Sequence, residues 1–357
     1  MTAIVPARNY GLDILRVLSC YMVIQAHAGE FYYIGNGETV LNTADAHLGG
    51  WFNSLCISSV PMFVMLSGFF LFPVKDAPSF FKKRLSRVAI PFILWCIFYA
   101  LYAYLRGYTT LNASITNVIQ IPVNYGAKVG HLWFVYMLIG IYLFAPVISP
   151  WVQTASRKSM ELYLILWTIS LTIPYLHLIF LEIWGEAFWN HTPMLYYFSG
   201  FLGYVILANY IKRFHMDSRR WHYVVGVALI LIGYLVTTLV FLQRLDTEKL
   251  VKNLILSWSF DTINIAMIAA GMFLLFKNTH FKNTNSFPVK LLGDMAAKSY
   301  GIYLAHIIVL NAVHSALAGR LSHCVVKIPI IGICAFIITY FIIKALSYLP
   351  YSKWITG

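Results

Sequence analysis

The sequence predicts an all-α polytopic membrane bundle of about ten transmembrane helices, with both termini in the cytoplasm. Three observations predict this class: 60% of the residues are hydrophobic, only 11% are charged, and the mean hydropathy is +0.71. Soluble domains carry charges at about 25% of positions. A chain of 357 residues can hold about ten spans of about 20 residues joined by short loops. We therefore expect one integral membrane domain over residues 1–357, without a fused soluble domain.

Ten apolar stretches define the predicted spans. They lie at residues 12–31, 50–72, 88–105, 131–149, 160–181, 194–210, 222–242, 253–276, 299–318 and 327–347. Most lysines and arginines fall in the loops on one side, whereas the loops 32–49 and 182–193 on the other side contain none. Because cytoplasmic loops carry an excess of basic residues, this asymmetry predicts that both termini are cytoplasmic.

The first span contains four ionisable residues, Asp13, Arg16, His27 and Glu30. Such groups cost a few kcal/mol each in hydrocarbon, so they normally serve a function. At 100° per residue, Arg16 and His27 lie about 20° apart around the helix and about 16 Å apart along it. The spacing predicts a polar stripe with a cation at one end and an imidazole at the other. Without a function, Arg16 would be a snorkelling anchor or pair with Asp13, and His27 would be a packing residue.

The second and third spans offer two weaker signals. Ser67 and Gly68 are small enough for a ligand or another backbone to approach, although a simple helix crossing explains them equally well. The third span opens with the basic run KKRLSR, in which Arg84 and Arg87 share one helical face. This run is either a positive-inside anchor or a phosphate clamp, because arginine forks match phosphate oxygens.

Polar and aromatic residues recur where later spans begin. His131 and Trp133 open the fourth span at the predicted depth of His27, where they could bind a sugar ring or anchor the helix in the interface. Asp261 lies inside the eighth span and should face a cavity or a partner. The ninth span opens with SYGIYLAH, which places Tyr303 in its first two turns.

The remaining composition excludes several classes. The five cysteines show no paired spacing, so we expect neither a disulfide framework nor a metal site. The chain contains no glycine-rich phosphate loop, metal-ligand motif or GxSxG elbow. The net charge of +13 is spread over loops, which indicates contact with anionic membrane lipids rather than nucleic acid.

These segments together resemble the acyltransferase-3 family of integral membrane acyltransferases over nearly the whole chain. The resemblance rests on Arg16 and His27 with ten residues between them, FVMLSGFF (63–70), KKRLSRVAIPF (82–92), HLWF (131–134), YLFAP (142–146) and SYGIYLAH (299–306). HLWF and YLFAP are most similar to the subgroup that O-acetylates bacterial envelope glycans, such as the enterobacterial common antigen. The resemblance implies a multi-pass protein of the bacterial plasma (inner) membrane.

The resemblance implies transfer of an acetyl group from cytoplasmic acetyl-CoA to a hydroxyl of an envelope glycan or lipid-linked sugar at the outer face. His27 would act as general base or as a nucleophile that forms an acetyl-imidazole, and Glu30 would orient the ring or lie just outside the membrane. The residues expected to hold coenzyme A are Arg16, Ser67, Lys83, Arg84 and Arg87. The residues expected to contact the acceptor are His131, Trp133, Asp261 and Tyr303. No metal is required.

Two other functional classes compete with a transferase. A proton-coupled secondary transporter or a lipid-linked sugar flippase would also contain about ten spans with intramembrane ionisable residues. No inverted repeat is visible, and the ionisable residues gather on the first span, which weakens this hypothesis. A membrane scaffold or receptor would leave the polar stripe unexplained. Only a transferase would bind acetyl-CoA and release CoA when the acceptor is supplied.

Overall fold

The computed structural model describes residues 8–192, 194–217, 220–321 and 323–357. Over these residues the protein is all-helical, with 75% of residues in helices and no β-strand. In this part of the chain, seven helical segments are long and apolar enough to cross a membrane, and an eighth span is present if one bent pair counts as a single crossing. Two of the seven, Ala44–Leu71 and Arg157–Leu176, each join two consecutive helices. The all-α, multi-pass class is therefore confirmed. The total of about ten spans and the side of the termini stay predictions.

The helices follow one another through short connections. They are α1 (Tyr10–Tyr33), α2 (Ala44–Cys56), α3 (Ser59–Leu71), α4 (Ala77–Leu105), α5 (Leu111–Ile119), α6 (Tyr125–Lys128), α7 (Trp133–Thr154), α8 (Arg157–Ser170), α9 (Ile173–Leu176), α10 (Phe201–Phe214), α11 (Arg220–Thr247), α12 (Val251–Leu254), α13 (Ile263–Phe276), α14 (Phe287–Ala297), α15 (Ser299–Leu317), α16 (Cys324–Leu346) and α17 (Lys353–Thr356).

Two predicted spans correspond neither to the seven long apolar segments nor to the bent pair. The first corresponds to α1, whose 24 residues include Asp13, Arg16 and Glu30, so its mean hydropathy is low. The sixth corresponds to α10, which begins at Phe201 and has 14 residues. At 1.5 Å per residue, a helix of this length covers about 21 Å, which is less than the hydrocarbon core of about 30 Å.

Contacts divide the chain into two compact units. The first unit comprises Met1–Phe70, Ala155–Ala297 and His323–Ile328, within the described residues. The second comprises Leu71–Thr154, Lys298–Ser322 and Pro329–Gly357. The first unit contains α1 and α13, and the second contains α4, α7 and α15.

In the first unit, α1 and α13 run antiparallel. Asn9 caps the start of α1 by accepting a hydrogen bond from the Leu12 amide, and its side-chain nitrogen donates to the Lys277 carbonyl at the end of α13 (2.8 Å). At the other end of α1, Tyr33 packs edge-on against Trp258, which precedes α13 (centroids 5.4 Å apart). The side chains at the end of α1 therefore meet the segment before α13.

A tight contact with α2 sets the position of α1. The Asn53 side-chain nitrogen donates to the Ala26 carbonyl (2.7 Å), and Asn53 is fully buried. A Cβ atom on Gly29 would lie only 2.2 Å from the same side chain. Glycine at position 29 thus permits the close approach of the two helices, between His27 and Glu30.

The predicted eighth span, residues 253–276, is broken in the structure. Residues Val251–Trp258 and α13 are inclined by 42° to each other, and residues 259–262 between them are not helical. The buried Asn264 stabilises this break, because its side-chain nitrogen donates to the Thr237 hydroxyl and to the Ser257 carbonyl (both 2.7 Å). Its side-chain oxygen accepts a hydrogen bond from the Tyr175 hydroxyl (2.7 Å). Hydropathy averages over such a break and predicts a continuous span.

We expect Asn264→Ala to destabilise the first unit. The substitution removes three hydrogen bonds, and each buried polar partner left unpaired costs about 1–3 kcal/mol. Thermal unfolding in detergent should show a clear fall in the midpoint temperature. Asn112→Ala is the control, because Asn112 is exposed on α5, and its midpoint should stay within about a degree of wild type. An unchanged midpoint for Asn264→Ala would contradict the proposed role of this network.

In the second unit, side chains of α4 bind backbone carbonyls of other helices. The Trp95 indole donates to the Ile355 carbonyl (2.9 Å), and the Tyr99 hydroxyl donates to the Leu304 carbonyl (3.0 Å). A cavity of 520 Å³ beside Trp95 is lined almost entirely by hydrocarbon; its lining residues are Leu94, Trp95, Phe98, Ala305, Ile308, Val309, Ile342, Leu346 and Ile355.

Candidate active site

His27 and Glu30 form a hydrogen-bonded pair on α1. The Nδ1 atom of His27 lies 2.8 Å from Oε2 of Glu30, one helical turn away. From Met22 to Gly29, His27 is the only residue that is not buried, and its side chain is 21% exposed. A carboxylate oxygen only accepts hydrogen bonds, so it favours the tautomer in which Nδ1 carries the proton and Nε2 is basic. This arrangement suits a general base or a nucleophile.

Glu30 also lines a cavity of 440 Å³ in the first unit. The cavity walls combine ionisable, hydroxyl, aromatic and apolar side chains; the lining residues are Glu30, Tyr33, Ile57, Pro174, Lys252, Ile255, Leu256, Trp258, Ser259, Phe260 and Asp261. Volumes of about 300–1,000 Å³ are typical of pockets for small ligands. The His27–Glu30 pair therefore adjoins a space that can hold a small molecule.

Packed aromatic side chains hold one wall of this cavity in place. The rings of Phe241 and Trp258 are stacked, with centroids 3.9 Å apart, and Tyr33 packs edge-on against both. The Trp258 indole donates to the Ser54 hydroxyl (3.2 Å). Residues whose orientation is locked by packing give a site a defined shape before any ligand arrives.

Asp261 lies on the same cavity as Glu30, in the non-helical turn that precedes α13. Its carboxylate accepts a hydrogen bond from the Ser259 hydroxyl. The next residue back, Phe260, is fixed through its carbonyl, which accepts the buried Tyr204 hydroxyl (2.7 Å). The broken helix thus directs a carboxylate into the cavity.

Arg16 lies three turns from His27 towards the opposite end of α1. Asp13 is bound more closely by Arg8 (2.5 Å) than by Arg16 (3.9 Å). The hydrogen bond that Arg8 donates to Asp13 raises the pKa of the Arg8 guanidinium. The Arg16 guanidinium lies over the ring of Phe70, 5.6 Å from its centroid, and its side chain is 30% exposed. Arg16 is therefore not committed to a short ion pair with Asp13.

The end of α3 brings a second cation close to this region of the first unit. The Lys212 ammonium donates to the Phe69 carbonyl (2.7 Å) and lies 5.0 Å from the centroid of the Phe69 ring. The rings of Phe69 and Phe70 are in edge contact, with centroids 5.2 Å apart. Ser67 is half-buried on the same helix. Arg16 and Lys212 thus flank one phenylalanine pair.

The other predicted coenzyme A residues lie on the first turns of α4, in the second unit. Lys83 and Arg87 are exposed there, and Arg84 is half-buried. Asp76 caps this helix by accepting a hydrogen bond from the Ser79 amide (2.9 Å). A basic cluster at the start of an exposed helix can bind an anion, and its role with coenzyme A stays a prediction.

Three of the predicted acceptor residues also belong to the second unit. His131 is buried, with Nε2 3.3 Å from the Leu304 carbonyl, and its own carbonyl accepts the Tyr303 hydroxyl. The rings of His131 and His306 are 4.6 Å apart. Trp133 is half-buried at the start of α7. These contacts give His131 and Tyr303 a structural role, and contact with the acceptor stays a prediction.

Several site residues were not predicted from the sequence. Five residues were not singled out from the sequence as ligand contacts: Tyr33, Lys212, Lys252, Trp258 and Ser259. The sequence WSFD at 258–261 was the available signal, because it places an aromatic, a hydroxyl and a carboxyl together inside an apolar stretch. Among the described residues, no group of three or more His, Cys, Asp or Glu side chains has the arrangement of a metal site.

Comparisons with known proteins complete this description. Searches against curated proteins and against solved structures find no match for the chain. The family model Acyl_transf_3, described as an acyltransferase domain, matches residues 9–349. This range includes both ends of α1, the cavity of the first unit and the basic turns of α4. Since the match covers nearly the whole chain, the protein belongs to the acyltransferase-3 family of membrane acyltransferases.

Proposed function

We propose that the protein is an O-acetyltransferase of the bacterial inner membrane. It transfers the acetyl group of cytoplasmic acetyl-CoA to a hydroxyl of a cell-envelope glycan or lipid-linked sugar at the outer face. Membership in the family supports acyl transfer. The observation that carries the proposal is the single helix α1, which bears a cation near one end and the hydrogen-bonded His27–Glu30 pair near the other.

The donor would lie along α1. Coenzyme A has a phosphate-bearing nucleotide and a long pantetheine arm that ends in the thioester. Arg16 and His27 are about 16 Å apart along the helix, a length that the arm can span. In the first unit, Arg16, Lys212 and the Ser67 hydroxyl would bind phosphate oxygens. Lys83, Arg84 and Arg87 of the second unit stay a separate proposal for anion binding, which rests on their charge. The nucleotide would then remain on the cytoplasmic side while the acetyl group reaches His27.

His27 would take a proton during the transfer. In the direct route, the acceptor oxygen attacks the thioester carbonyl carbon as Nε2 accepts the hydroxyl proton, and the carbon–sulfur bond then breaks to release CoA. In the alternative route, Nε2 itself attacks, and the acetyl-imidazole passes its acetyl group to the acceptor. Glu30 would orient the ring and stabilise its protonated form in either route.

The proposed topology follows from the same assignment. The seven long apolar segments and the bent pair would supply eight crossings. The helices α1 and α10 would bring the total to ten, with both termini cytoplasmic. This arrangement places the start of α1, and with it Arg16, on the side where acetyl-CoA is made available.

The test of the proposal is CoA release by the purified protein. The protein is incubated with ¹⁴C-acetyl-CoA and an envelope glycolipid extract, and both free CoA and acetylated lipid are measured. The proposal requires that both products appear together and depend on the extract. If the protein neither binds acetyl-CoA nor releases free CoA, the proposal is wrong, and a transport pathway along α1 becomes the next hypothesis.

Arg16→Gln is expected to weaken donor binding. Losing one charge-assisted contact with a phosphate costs about 1.5–3 kcal/mol, so the KM for acetyl-CoA should rise by about ten- to a hundredfold. The KM for the glycolipid should change little. Lys282→Gln is the control, since Lys282 is an exposed lysine of the first unit. Equal donor KM values for Arg16→Gln and wild type would remove Arg16 from the donor site.

A further inference from the structure

We infer that the 440 Å³ cavity beside Glu30 binds the acceptor as a neutral, hydroxyl-rich sugar ring, and that Asp261 and Lys252 position that ring. This inference rests on the proposed function and adds to it the location and the charge of the acceptor. The cavity belongs wholly to the first unit, and Glu30 is the residue that joins it to His27.

The order of groups along α1 separates donor from acceptor. Arg16, His27, Glu30 and Tyr33 follow one another on a single uninterrupted helix. The anionic part of the donor would bind at the Arg16 end, so its thioester approaches His27 from that side. Glu30 and Tyr33 line the cavity at the opposite end. A hydroxyl held in the cavity would therefore approach His27 from the side that the donor leaves open.

The polar lining matches the groups of a sugar. Glu30 and Asp261 provide carboxylate oxygens that accept hydrogen bonds from hydroxyls, and Lys252 provides a donor. The Ser259 hydroxyl donates to Asp261, so its oxygen can accept a further hydrogen bond. Tyr33, Trp258 and Phe260 supply aromatic surface beside them. Apolar walls with a few convergent polar groups are typical of small-molecule sites. A thioester or an acyl chain has no hydroxyl to donate to these carboxylates.

The charge of the cavity favours a neutral ring. Two carboxylates and one ammonium line it, which leaves a formal charge of −1 when all three are ionised. Lys252 is exposed to solvent, so its charge is screened more strongly than those of the half-buried Glu30 and Asp261. A ring that carries a carboxylate would be repelled by Glu30 and Asp261. A ring with hydroxyl or acetamido groups would not.

The position of Asp261 is fixed before a ligand binds. Its carboxylate is held by the Ser259 hydroxyl, and the turn that carries it is held through the carbonyl of Phe260. Asn264 stabilises the start of α13 immediately after this turn. A preorganised carboxylate loses little conformational freedom on binding, so it contributes to affinity more than a mobile one.

Asp261→Asn tests the assignment through acceptor kinetics. The substitution keeps the shape of the side chain and removes its charge. The concentration of glycolipid extract that gives half-maximal CoA release should rise about tenfold, while the half-saturating concentration of acetyl-CoA stays within twofold of wild type. A purely structural defect would lower kcat and change both values together.

Lys252→Gln provides a second variant on an exposed residue, so its folding is not in question. It should raise the half-saturating extract concentration about threefold. Lys249→Gln is the matched control: Lys249 is exposed just before α12, which carries Lys252, it does not line the cavity, and it should behave as wild type. If the Lys252 and Asp261 variants both match wild type in an active preparation, the cavity is not the acceptor site, although the proposed function stands.

Competition tests the charge of the ring. N-acetylglucosamine and glucuronic acid are added separately to the reaction with the extract. The neutral sugar should inhibit acetylation of the lipid at a lower concentration than the acid. In Asp261→Asn, which lacks one negative charge, the inhibitory concentrations of the two sugars should be closer to each other. Equal inhibition, stronger inhibition by the acid, or no inhibition by either sugar would overturn the inference of a neutral ring. If wild type releases no CoA with the extract, the proposed function itself fails.

Discussion

His27→Ala is expected to lower acetyl transfer by about 10²–10⁴-fold, the contribution typical of a positioned general base. The activity falls because the substitution removes the imidazole that is hydrogen-bonded to Glu30 and that would accept the acceptor's proton. Binding of acetyl-CoA should persist, since the groups proposed for its phosphates are untouched. The measurement is initial CoA release at saturating donor and extract, together with equilibrium binding of ¹⁴C-acetyl-CoA.

His47→Ala is the matched control for this experiment. His47 is a half-buried histidine of the first unit, where its Nε2 lies 3.0 Å from the Asn42 side-chain oxygen and 3.3 Å from Asp246. It should retain wild-type transfer. If His27→Ala retained it as well, His27 would not be the catalytic group, even though the family assignment would stand.

Rapid quenching distinguishes the two routes through His27. The protein is mixed with acetyl-CoA without an acceptor, quenched, digested, and analysed by mass spectrometry. A nucleophilic His27 would add one acetyl group to the peptide that contains it. A general base would leave that peptide unmodified while transfer to the extract proceeds.

Gly29→Leu is expected to prevent correct packing of the first unit. A Cβ atom at this position would already lie 2.2 Å from the Asn53 side chain, and leucine adds three more carbons. Overpacking of a core costs about 1–3 kcal/mol and sometimes more. Here α1 cannot shift without breaking the Asn53–Ala26 hydrogen bond. We expect little monodisperse protein in size-exclusion chromatography and a large fall in the thermal midpoint.

Gly140→Leu is the control for the size of the substitution. Gly140 lies within α7, and a Cβ atom there meets nothing within 4 Å. This variant should express and elute as wild type, since leucine has the higher helix propensity. Combining Gly29→Leu with Asn53→Ala should recover part of the stability, because the second change makes room. A stable Gly29→Leu single variant would show that the α1–α2 contact is looser than described.

The sequence was sufficient to predict the features that lie on one side of a single helix. Arg16, His27 and Glu30 were found because helical periodicity places them on one side of a single segment, and the contact of His27 with Glu30 follows from their separation of three residues. The cost of ionisable groups in hydrocarbon indicated that these residues serve a function. The all-helical class followed from composition alone.

The cavity could not be predicted because distant parts of the chain build it. Glu30, Ile57, Pro174 and the segment 252–261 have no periodic relation in the sequence. The break before α13 depends on a tertiary hydrogen-bond network centred on Asn264, which hydropathy does not register. The closer partner of Asp13 was also not identified from the sequence. This partner is Arg8, which approaches from the non-helical segment before α1.

The separation of Glu30 and Asp261 in the chain has a consequence for biogenesis. The two residues are 231 positions apart, and ribosomes add about 5–20 residues per second, so α1 is complete roughly 10–50 s before the segment that closes its cavity is made. During this interval Asp13 can already pair with Arg8, and His27 with Glu30, because both partners lie in the part of the chain that has been made. These two pairs therefore matter to the nascent protein as well as to the mature protein, since they partner ionisable groups that would otherwise be costly in hydrocarbon.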